Sequence, residues 1–459
     1  MIFACAEDCA SLKSDLSASL SVNRLQPPAT VLAIASQLER AGYETWCVGG
    51  AIRDALLGHP HLDWDLATSA TPEQMRVVFG PRRTIPVGVE FGTVGVLDRD
   101  GKMHEVTTFR RDVKTDGRHA VVEFGASLED DLARRDFTIN AIAFSPETGE
   151  LRDPFGGQDD IERRLVRAVG DPEARMREDR LRALRAIRFA ARFDFAIDDA
   201  TRRAIDSSAP LLGRLSRERV KQELDKTMEQ VRQPSVALEI WRSSGAFASL
   251  IPQLASVDPK ALGVPNCLAM PGDVSRPARR SLRFAGLLAS LTTKEVTAVM
   301  SSLKASRVEI QLVEGLVDKW RRYGGEMSRA LTARVPSDGE VRRWVARIGR
   351  VDIGSFMRLA DALWMVAREN QQQAPGAAEV RGLYRRMRTV AMRDPIDIGS
   401  LAVDGDDLRR AGIPAGRSLG MILRTLLDIV IDDPTKNTAE FLLTEAQRQH
   451  EQRGDSQET

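Results

Sequence analysis

The sequence predicts an α+β protein in which a mixed domain of strands and helices comes first and helical domains follow. Runs typical of β-strands are confined to the first part of the chain, whereas from Ile161 onward segments with helical periodicity follow one another. Only 5% of the residues are aromatic and 29% are charged, and the frequent Leu, Ala and Arg favour helix. At 459 residues the chain has room for roughly three domains.

Charge and cysteine content limit the partners and the compartment. The net charge is +1, so a nucleic-acid partner must be bound by a local basic surface. The four cysteines lack the spacing of a zinc site or a disulfide framework. The chain has no apolar run of membrane-spanning length and no N-terminal basic region before an apolar core. We therefore expect a cytoplasmic protein that does not bind membranes.

The chain is expected to open with a loose segment, residues 1–28, that ends at two prolines. Residues Thr30–Ala41 then have helical periodicity, and Gly42 ends the predicted helix. Tyr43–Val48 is predicted to be a strand. The apolar side of the helix is expected to consist of Val31, Ile34, Ala35 and Leu38.

Two glycines, Gly49 and Gly50, stand between this strand and a short predicted helix, Ala51–Leu57. Backbone amides at such a helix start lack partners within the helix and attract phosphate. Arg53 lies one turn inside the helix. The segment therefore predicts a phosphate site, and an ordinary loop is the alternative for the glycine pair taken alone.

Two aspartates, Asp63 and Asp65, follow in the predicted strand Leu62–Ala67. Because side chains alternate along a strand, both carboxylates are expected on one face and Trp64 on the other. Two ionised carboxylates at this spacing repel each other unless a divalent cation lies between them, and such oxygen ligands suit Mg²⁺. The pattern predicts a metal site, with a solvated turn as the alternative.

A β-hairpin is predicted over Gly92–Phe109, because two β-rich runs flank a turn at Asp98–Gly101. Glu105 lies on its second strand. If that strand pairs beside the strand of Asp65, Glu105 adds a third carboxylate to the site; otherwise it is a surface residue. Residues Arg110–Val122 are predicted to form a polar, flexible loop.

The segment Leu132–Phe144 places charged residues just before an apolar run. Arg135 matches a triphosphate and Asp136 matches a ribose hydroxyl in charge and hydrogen-bonding capacity. The alternative for these residues is a role in capping or in a salt bridge.

A long helix is predicted from Pro172 to Asp194, with Leu181, Leu184, Ile187 and Ala191 as its buried stripe. Asp179, Arg182, Arg185 and Arg188 recur along it every three residues. Surface salt bridges explain such a row. Alternatively, because an ionised Asp only accepts hydrogen bonds and Arg only donates them, a fixed Asp179–Arg182 pair complements C and A but not U and G. Arg185 and Arg188 would then hold the triphosphate.

The order of these motifs resembles a known family. The segments VGGAIRDALLG, DWDLAT, EVTTFRRD, RRDFTINA and REDRLRALRAIRFAARF lie within residues 48 to about 230. In this order they resemble the class II tRNA nucleotidyltransferases, the CCA-adding enzymes, and their bacterial poly(A) polymerase relatives. The resemblance implies a nucleotidyltransferase head with a palm sheet at 29–148, a nucleobase-selecting neck at 149–230, a helical body at 231–330 and a tRNA-binding helical tail at 331–459. Disorder is expected from Gln447 onward.

The resemblance also implies roles for the candidate residues. Asp63 and Asp65 would bind the metal ions, and Glu105 would be the third catalytic carboxylate. The residues implied in nucleotide binding are Gly49, Gly50, Arg53, Arg135, Asp136, Asn140, Asp179, Arg182, Arg185 and Arg188. The implied reaction adds C, A or both from CTP and ATP to the 3′ end of the tRNA acceptor arm without a template, by two-metal catalysis with release of pyrophosphate.

One segment departs from the family pattern. Members often carry a loop of the type RxDxxYxDxRHP, which here reads RDVKTDGRHAVVEF, without the tyrosine and with Ala120 in place of the proline. Because this loop is associated with the switch from C to A addition, a CC-adding or A-adding specialist is an alternative. A poly(A) polymerase and a non-catalytic RNA-binding protein are further alternatives. The sequence has no adjacent His and Asp, which argues against an HD phosphohydrolase domain.

Overall fold

The computed structural model describes residues 25–59, 63–115, 120–268 and 276–455, so the predicted lead-in lies almost wholly outside the described residues. The chain divides into two compact units between Ser256 and Val257. The predicted head and neck both fall in the first unit. The finer division into head, neck, body and tail remains a prediction.

The first unit begins with alternating helices and strands and ends in helices. Its helices are α1 (Ala29–Arg40), α2 (Gly50–Leu56), α3 (Pro72–Phe79), α4 (Leu128–Ala133), α5 (Gly157–Glu162), α6 (Pro172–Glu178), α7 (Leu181–Phe193), α8 (Asp199–Ser208), α9 (Arg217–Gln230), α10 (Pro234–Ser243) and α11 (Ala246–Leu250). Its strands are β1 (Thr45–Val48), β2 (Asp65–Thr68), β3 (Thr84–Gly88), β4 (Thr93–Leu97), β5 (Met103–Thr108), β6 (Arg110–Thr115), β7 (Ala120–Phe124), β8 (Ala143–Phe144), β9 (Leu151–Arg152), β10 (Leu165–Val166) and β11 (Ala196–Ile197).

Seven of the strands form one mixed sheet in the order β3-β4-β5-β2-β1-β8-β9. Only β2 and β5 run parallel within it, and their register pairs Leu66 with Val106. The predicted hairpin is confirmed as β4 and β5. The parallel pairing of β5 with β2 meets the condition of the prediction and places Glu105 beside Asp65. The role of Glu105 as a third catalytic carboxylate stays a prediction.

The buried faces follow the predicted patterns. On α1, Val31, Ile34, Ala35 and Leu38 are buried as expected. On the sheet, Val94, Val96 and Val106 are buried, while Glu105 faces outward. One face of the sheet therefore forms the core and the other is available to a cleft.

Two predictions about strands and loops of the first unit are wrong in detail. Strand β2 begins at Asp65, so Asp63 precedes the strand instead of lying within it. The segment predicted as the loop 110–122 forms an antiparallel hairpin of β6 and β7 in which Arg110 pairs with Phe124. The consecutive valines 121 and 122 favour strand, and a hydrogen-bonded ladder outweighs the polar composition. Residues 116–119 lie outside the described residues.

The helix predicted over 172–194 is two helices, α6 and α7, with Asp179 in extended conformation between them (φ −149°, ψ 105°). The Asp179 side chain accepts a hydrogen bond from the backbone N–H of Leu181 at 3.0 Å. Aspartate competes with the helix for such backbone donors, and this explains the interruption that a simple periodicity misses. Ala191 is half-buried, whereas the other predicted stripe residues are fully buried.

The second unit is helical throughout its described regular structure. Its helices are α12 (Val264–Cys267), α13 (Arg276–Leu287), α14 (Thr293–Ser302), α15 (Arg307–Lys319), α16 (Gly325–Ala333), α17 (Asp338–Ile348), α18 (Ile353–Glu369), α19 (Ala377–Arg393), α20 (Gly405–Arg410), α21 (Arg417–Asp432) and α22 (Ala439–Asp455), with a π-helical turn at Trp320–Gly324. Among the described helices none is both long and apolar enough to cross a membrane.

The expected disorder from Gln447 is wrong for the described residues, because α22 continues to Asp455. Leu442 and Ala446 of this helix are fully buried in a cluster with Leu426 and Val430 of α21. Apolar contacts of α22 with the preceding helix therefore stabilise a segment that looks too polar to fold by itself.

Candidate active site

A cleft of about 870 Å³ in the first unit contains every residue singled out in the sequence. Its walls come from the open face of the sheet, the turn before α2, the segment after α4, and helices α7 and α9. The lining includes Asp63, Asp65, Glu105, Gly49, Gly50, Arg53, Arg135, Asp136, Asn140, Asp179, Arg182, Arg185 and Arg188. Tertiary folding thus brings together residues that are up to about 140 positions apart in sequence. Their individual roles remain predictions.

The acidic side of the cleft consists of Asp63, Asp65 and Glu105. Burial, followed by the charges of Glu105 and Asp63, raises the pKa of Asp65 to about 6 against the opposing effect of Arg135. A bound cation would relieve this repulsion, so the donor set fits a divalent metal with oxygen ligands. Within the described residues no three His, Cys, Asp or Glu side chains form a ready-made metal site.

Gly49 and Gly50 form the turn into α2, and Gly49 needs to be glycine. Its φ is +77°, in the region that side chains disfavour, and a Cβ there would lie 2.9 Å from Nη1 of Arg135. The turn therefore keeps the backbone and Arg135 in close approach. The backbone amides of this turn and Arg135 together border the predicted phosphate site, whose role stays a prediction.

We expect Gly49→Ala to lower the free energy of unfolding by about 1–2 kcal/mol through backbone strain and the Arg135 contact. Gly50→Ala is the matched control, because Gly50 is the first residue of α2 and a Cβ there would lie 3.3 Å from Arg53 Nη2. Urea denaturation of both variants measures the difference. Equal losses for the two variants would contradict this account of the turn.

Arg53 is only 4% exposed, although it borders the cleft. It donates hydrogen bonds to Asp54 (Nε to Oδ1, 2.7 Å) and to the amide oxygen of Asn140. Its guanidinium carbon lies 5.0 Å and 4.7 Å from the ring centroids of Phe189 and Phe193. These contacts connect α2 to α7 and support the positions of both cleft walls.

Asp136 is held by three donors. Its Oδ2 accepts from Nε of Arg185 at 2.8 Å, and its Oδ1 accepts from Nδ2 of Asn140 at 2.8 Å and from the backbone N–H of Phe137 at 2.9 Å. Burial alone would raise the pKa of Asp136, but the charge of Arg185 and these hydrogen bonds hold it below its ordinary value. Arg135 forms a salt bridge with Asp131 at 3.0 Å.

Asp179 and Arg182 do not form the i,i+3 salt bridge that was the structural alternative for this pair, because each side chain has another partner. Their joint role in base selection stays a prediction. Asp179 accepts from Nη2 of Arg219 at 2.6 Å. Arg182 donates to the Glu178 carboxylate at 2.6 Å and to the carbonyl oxygens of Arg175 at 3.1 Å and Arg134 at 3.0 Å. The break between α6 and α7 removes Asp179 from the helical row, yet both side chains still border the cleft.

The two remaining arginines of the row differ in environment. Arg185 pairs with Asp136 at 2.7 Å and is 31% exposed at its side chain. Arg188 is only 4% exposed and donates from Nε to Oε2 of Glu223 at 2.6 Å. The guanidinium of Arg185 is thus more open to a ligand than that of Arg188.

Further cleft residues were missed by the sequence reasoning. Helix α9 contributes Arg219, Lys226 and Gln230, and α7 contributes Arg192. The spacing of seven and then four residues on α9 places its three members on one face, which is the signal that could have identified them. Asp54, Arg110 and Arg134 also line the cleft.

Comparison with known proteins agrees with this architecture. Residues 45–167 match the family described as Poly A polymerase head domain, and residues 194–257 match the family described as Probable RNA and SrmB- binding site of polymerase A. A CCA-adding enzyme of Geobacillus kaustophilus (strain HTA426) is 35% identical over 438 residues, which cover 93% of this chain and 99% of the relative. The chain belongs to the CCA-adding enzyme family. The predicted resemblance to these nucleotidyltransferases is therefore confirmed.

Another relative is more identical to this chain over a shorter stretch. A CCA-adding enzyme of Geobacillus thermodenitrificans (strain NG80-2) is 48% identical over 207 residues. This match covers 44% of this chain, and the chain spans about half (50%) of the length of that relative. The crystal structure of the Bacillus stearothermophilus CCA-adding enzyme in complex with CTP has a TM-score of 0.73 and 31% identity, covering 94% of this chain and all of that one. The fold class predicted from sequence is thus confirmed.

Proposed function

We propose that this protein is a template-independent tRNA nucleotidyltransferase that acts in the cytoplasm and transfers C, A or both from CTP and ATP to the 3′ end of tRNA. The observation that carries the proposal is the single cleft in which Asp63, Asp65 and Glu105 face a wall with Asp179 and Arg182. Family membership supports the same reaction class. The helical tail at 331–459 is the part that we expect to bind the tRNA.

The residues of the chain position the reactants and balance charge. The amides at Gly49 and Gly50, together with Arg135 and Arg185, line the region where a triphosphate would be neutralised. Holding the triphosphate there aligns the α-phosphorus for attack by the RNA 3′-hydroxyl and leaves pyrophosphate as the product. No covalent intermediate on the protein is needed.

Asp63 and Asp65 are the residues that would hold Mg²⁺, with Glu105 beside them as the third carboxylate. The chemistry of the donor set supports this assignment, because carboxylate oxygens are the ligands that Mg²⁺ prefers. Bound there, Mg²⁺ would neutralise phosphate charge and favour ionisation of the 3′-hydroxyl.

Base selection is assigned to Asp179 and Arg182 even though they do not pair directly. Three of the five N–H groups of Arg182 donate to Glu178, Arg175 and Arg134, which leaves two for a base. Arg219 holds the carboxylate of Asp179 and still leaves it lone pairs that can accept from an amino group. An acceptor beside a donor complements the pairing edges of both C and A.

We expect Asp179→Ala to reduce the preference for CTP and ATP over UTP and GTP by roughly tenfold to a hundredfold, the effect of losing one or two hydrogen bonds worth about 1–3 kcal/mol. The KM for the favoured nucleotide should change less than the preference does. Competition assays with all four nucleotides measure it. Unchanged rejection of UTP and GTP would remove Asp179 from base selection.

The function is tested with tRNA transcripts that end at the discriminator base, at C or at CC, with CTP and ATP supplied separately. Addition of CCA to the first transcript supports complete synthesis, and addition of only CC or only A identifies a specialist. Long A tails on any RNA would indicate a poly(A) polymerase instead. If no transcript is extended, the enzymatic proposal fails.

A further inference from the structure

The sheet face that carries Glu105 continues into an exposed apolar surface. Along β5, Met103 and Glu105 point to the cleft side while His104 and Val106 are buried on the other side. The register pairs Glu105 with Gly95 of β4 and Gly95 with Ile85 of β3. Three apolar side chains are exposed on this face, Ile85 at 39%, Val87 at 45% and Met103 at 41%. We call Ile85, Val87 and Met103 the apolar shelf.

Gly95 makes the shelf continuous. A Cβ at Gly95 would lie 2.6 Å from Sδ of Met103 and 3.0 Å from Cγ2 of Val87. The side chains of Met103 and Val87 therefore lie over the backbone of Gly95, where no side chain projects between them. A glycine inside a strand usually marks such a close approach, because it contributes no packing of its own.

The surroundings of the shelf indicate what binds there. Thr93 and Thr107, whose hydroxyl oxygens are 3.1 Å apart, belong to the same strands and line the catalytic cleft, so the shelf is continuous with it. At the other end, the turn between β4 and β5 carries the exposed cations Arg99 and Lys102. A flat apolar surface bordered by cations suits a stacked nucleobase with its phosphates.

We propose that the apolar shelf stacks the terminal nucleobase of the RNA strand that receives the new nucleotide. The proposal rests on the proposed function, because the 3′-hydroxyl of that strand must reach the carboxylates. Met103 lies two residues before Glu105 on β5, a separation of about 7 Å along the strand. A base on the shelf is thus one nucleotide-sized step from the reaction centre, and stacking explains acceptance of different bases because each has an apolar face.

The test compares the full-length wild type with the double variant Val87→Ser, Met103→Ser. Both side chains are exposed, so the substitutions remove apolar contact without opening the core. The matched control is Val77→Ser, an exposed valine at 84% on α3, a helix that contributes no residue to the cleft. Each protein is assayed with tRNA ending in CC and with the same tRNA in which the terminal ribose lacks its base.

For the wild type we expect removal of the terminal base to raise the KM for tRNA about tenfold. The double variant should show the raised KM with both RNAs and an unchanged KM for ATP, because the shelf binds only the RNA strand. The Val77→Ser protein should match the wild type with each RNA. Loss of the discrimination between intact and abasic ends is the result that supports the shelf.

If the double variant discriminates between intact and abasic RNA ends as the wild type does, the proposed role of the apolar shelf is overturned and the proposed function stands. If the wild type extends no tRNA, the proposed function fails, and equilibrium binding of the two RNAs then decides the shelf by the same criterion. Sedimentation tests whether a second copy of the chain, instead of RNA, covers the apolar shelf. A wild-type dimer that becomes a monomer in the double variant, with RNA preference unchanged, would assign the surface to a second copy of the chain and overturn the proposal.

Discussion

Asp65→Asn is expected to lower the rate of nucleotide addition by roughly a thousandfold, equivalent to about 4 kcal/mol of transition-state stabilisation. Asn keeps the size of Asp65 but removes the charge at the start of β2, beside Glu105. The remaining carboxylates would hold a divalent ion less tightly and at a less defined position. Single-turnover extension of tRNA at saturating nucleotide measures the rate of the chemical step.

Asp100→Asn is the matched control for this prediction. Asp100 is an exposed aspartate in the turn between β4 and β5 and does not line the cleft. Its replacement should leave the rate within about twofold of the wild type, as expected for a surface substitution. If Asp65→Asn retained more than a tenth of the wild-type rate, Asp65 would not be a catalytic metal ligand.

The largest effect on stability is expected for Arg188→Met, which should lower the free energy of unfolding by about 3–5 kcal/mol. The substitution leaves Glu223, which is 2% exposed, without its partner at 2.6 Å. Two other cations lie near Oε1 of Glu223: Lys226 at 3.6 Å, with a side chain that is 44% exposed, and Arg185 at 4.0 Å, which already pairs with Asp136. An exposed or shared partner compensates a buried carboxylate incompletely. Chemical denaturation followed by circular dichroism measures the change.

A second variant separates stability from ligand binding. In Arg188→Met, Glu223→Leu both charges are absent, so most of the lost stability should return. If Arg188 also contacts the nucleotide, the KM for CTP of this double variant stays raised; a wild-type KM would make Arg188 a structural residue. Arg242→Met is the control, because Arg242 pairs with Glu239 at the surface and its loss should change stability much less than the loss of Arg188. Equal losses for Arg188→Met and Arg242→Met would contradict the assigned importance of burial.

Local chemistry was enough to predict the acidic side of the cleft. The turn signal at Asp98–Gly101 predicted the hairpin that carries Glu105, because turn geometry is a property of neighbouring residues. Asp63 and Asp65 both line the cleft as predicted, but Asp63 precedes β2, so strand alternation does not account for its position. Polar composition, by contrast, led to wrong predictions of a loop at β6 and β7 and of disorder at the end of α22.

The sequence by itself determined the α+β order of the chain, the glycine turn, the carboxylate strand and the family of the protein. Only the tertiary structure decided which partners the charged side chains between Asp179 and Arg188 have. Arg188 finds Glu223, 35 positions away, and Asp179 finds Arg219, 40 positions away. A three-residue spacing reports which side chains share a helix face, but it carries no information about which distant element packs against that face. Partners across the cleft are chosen by packing and by the need to compensate buried charge.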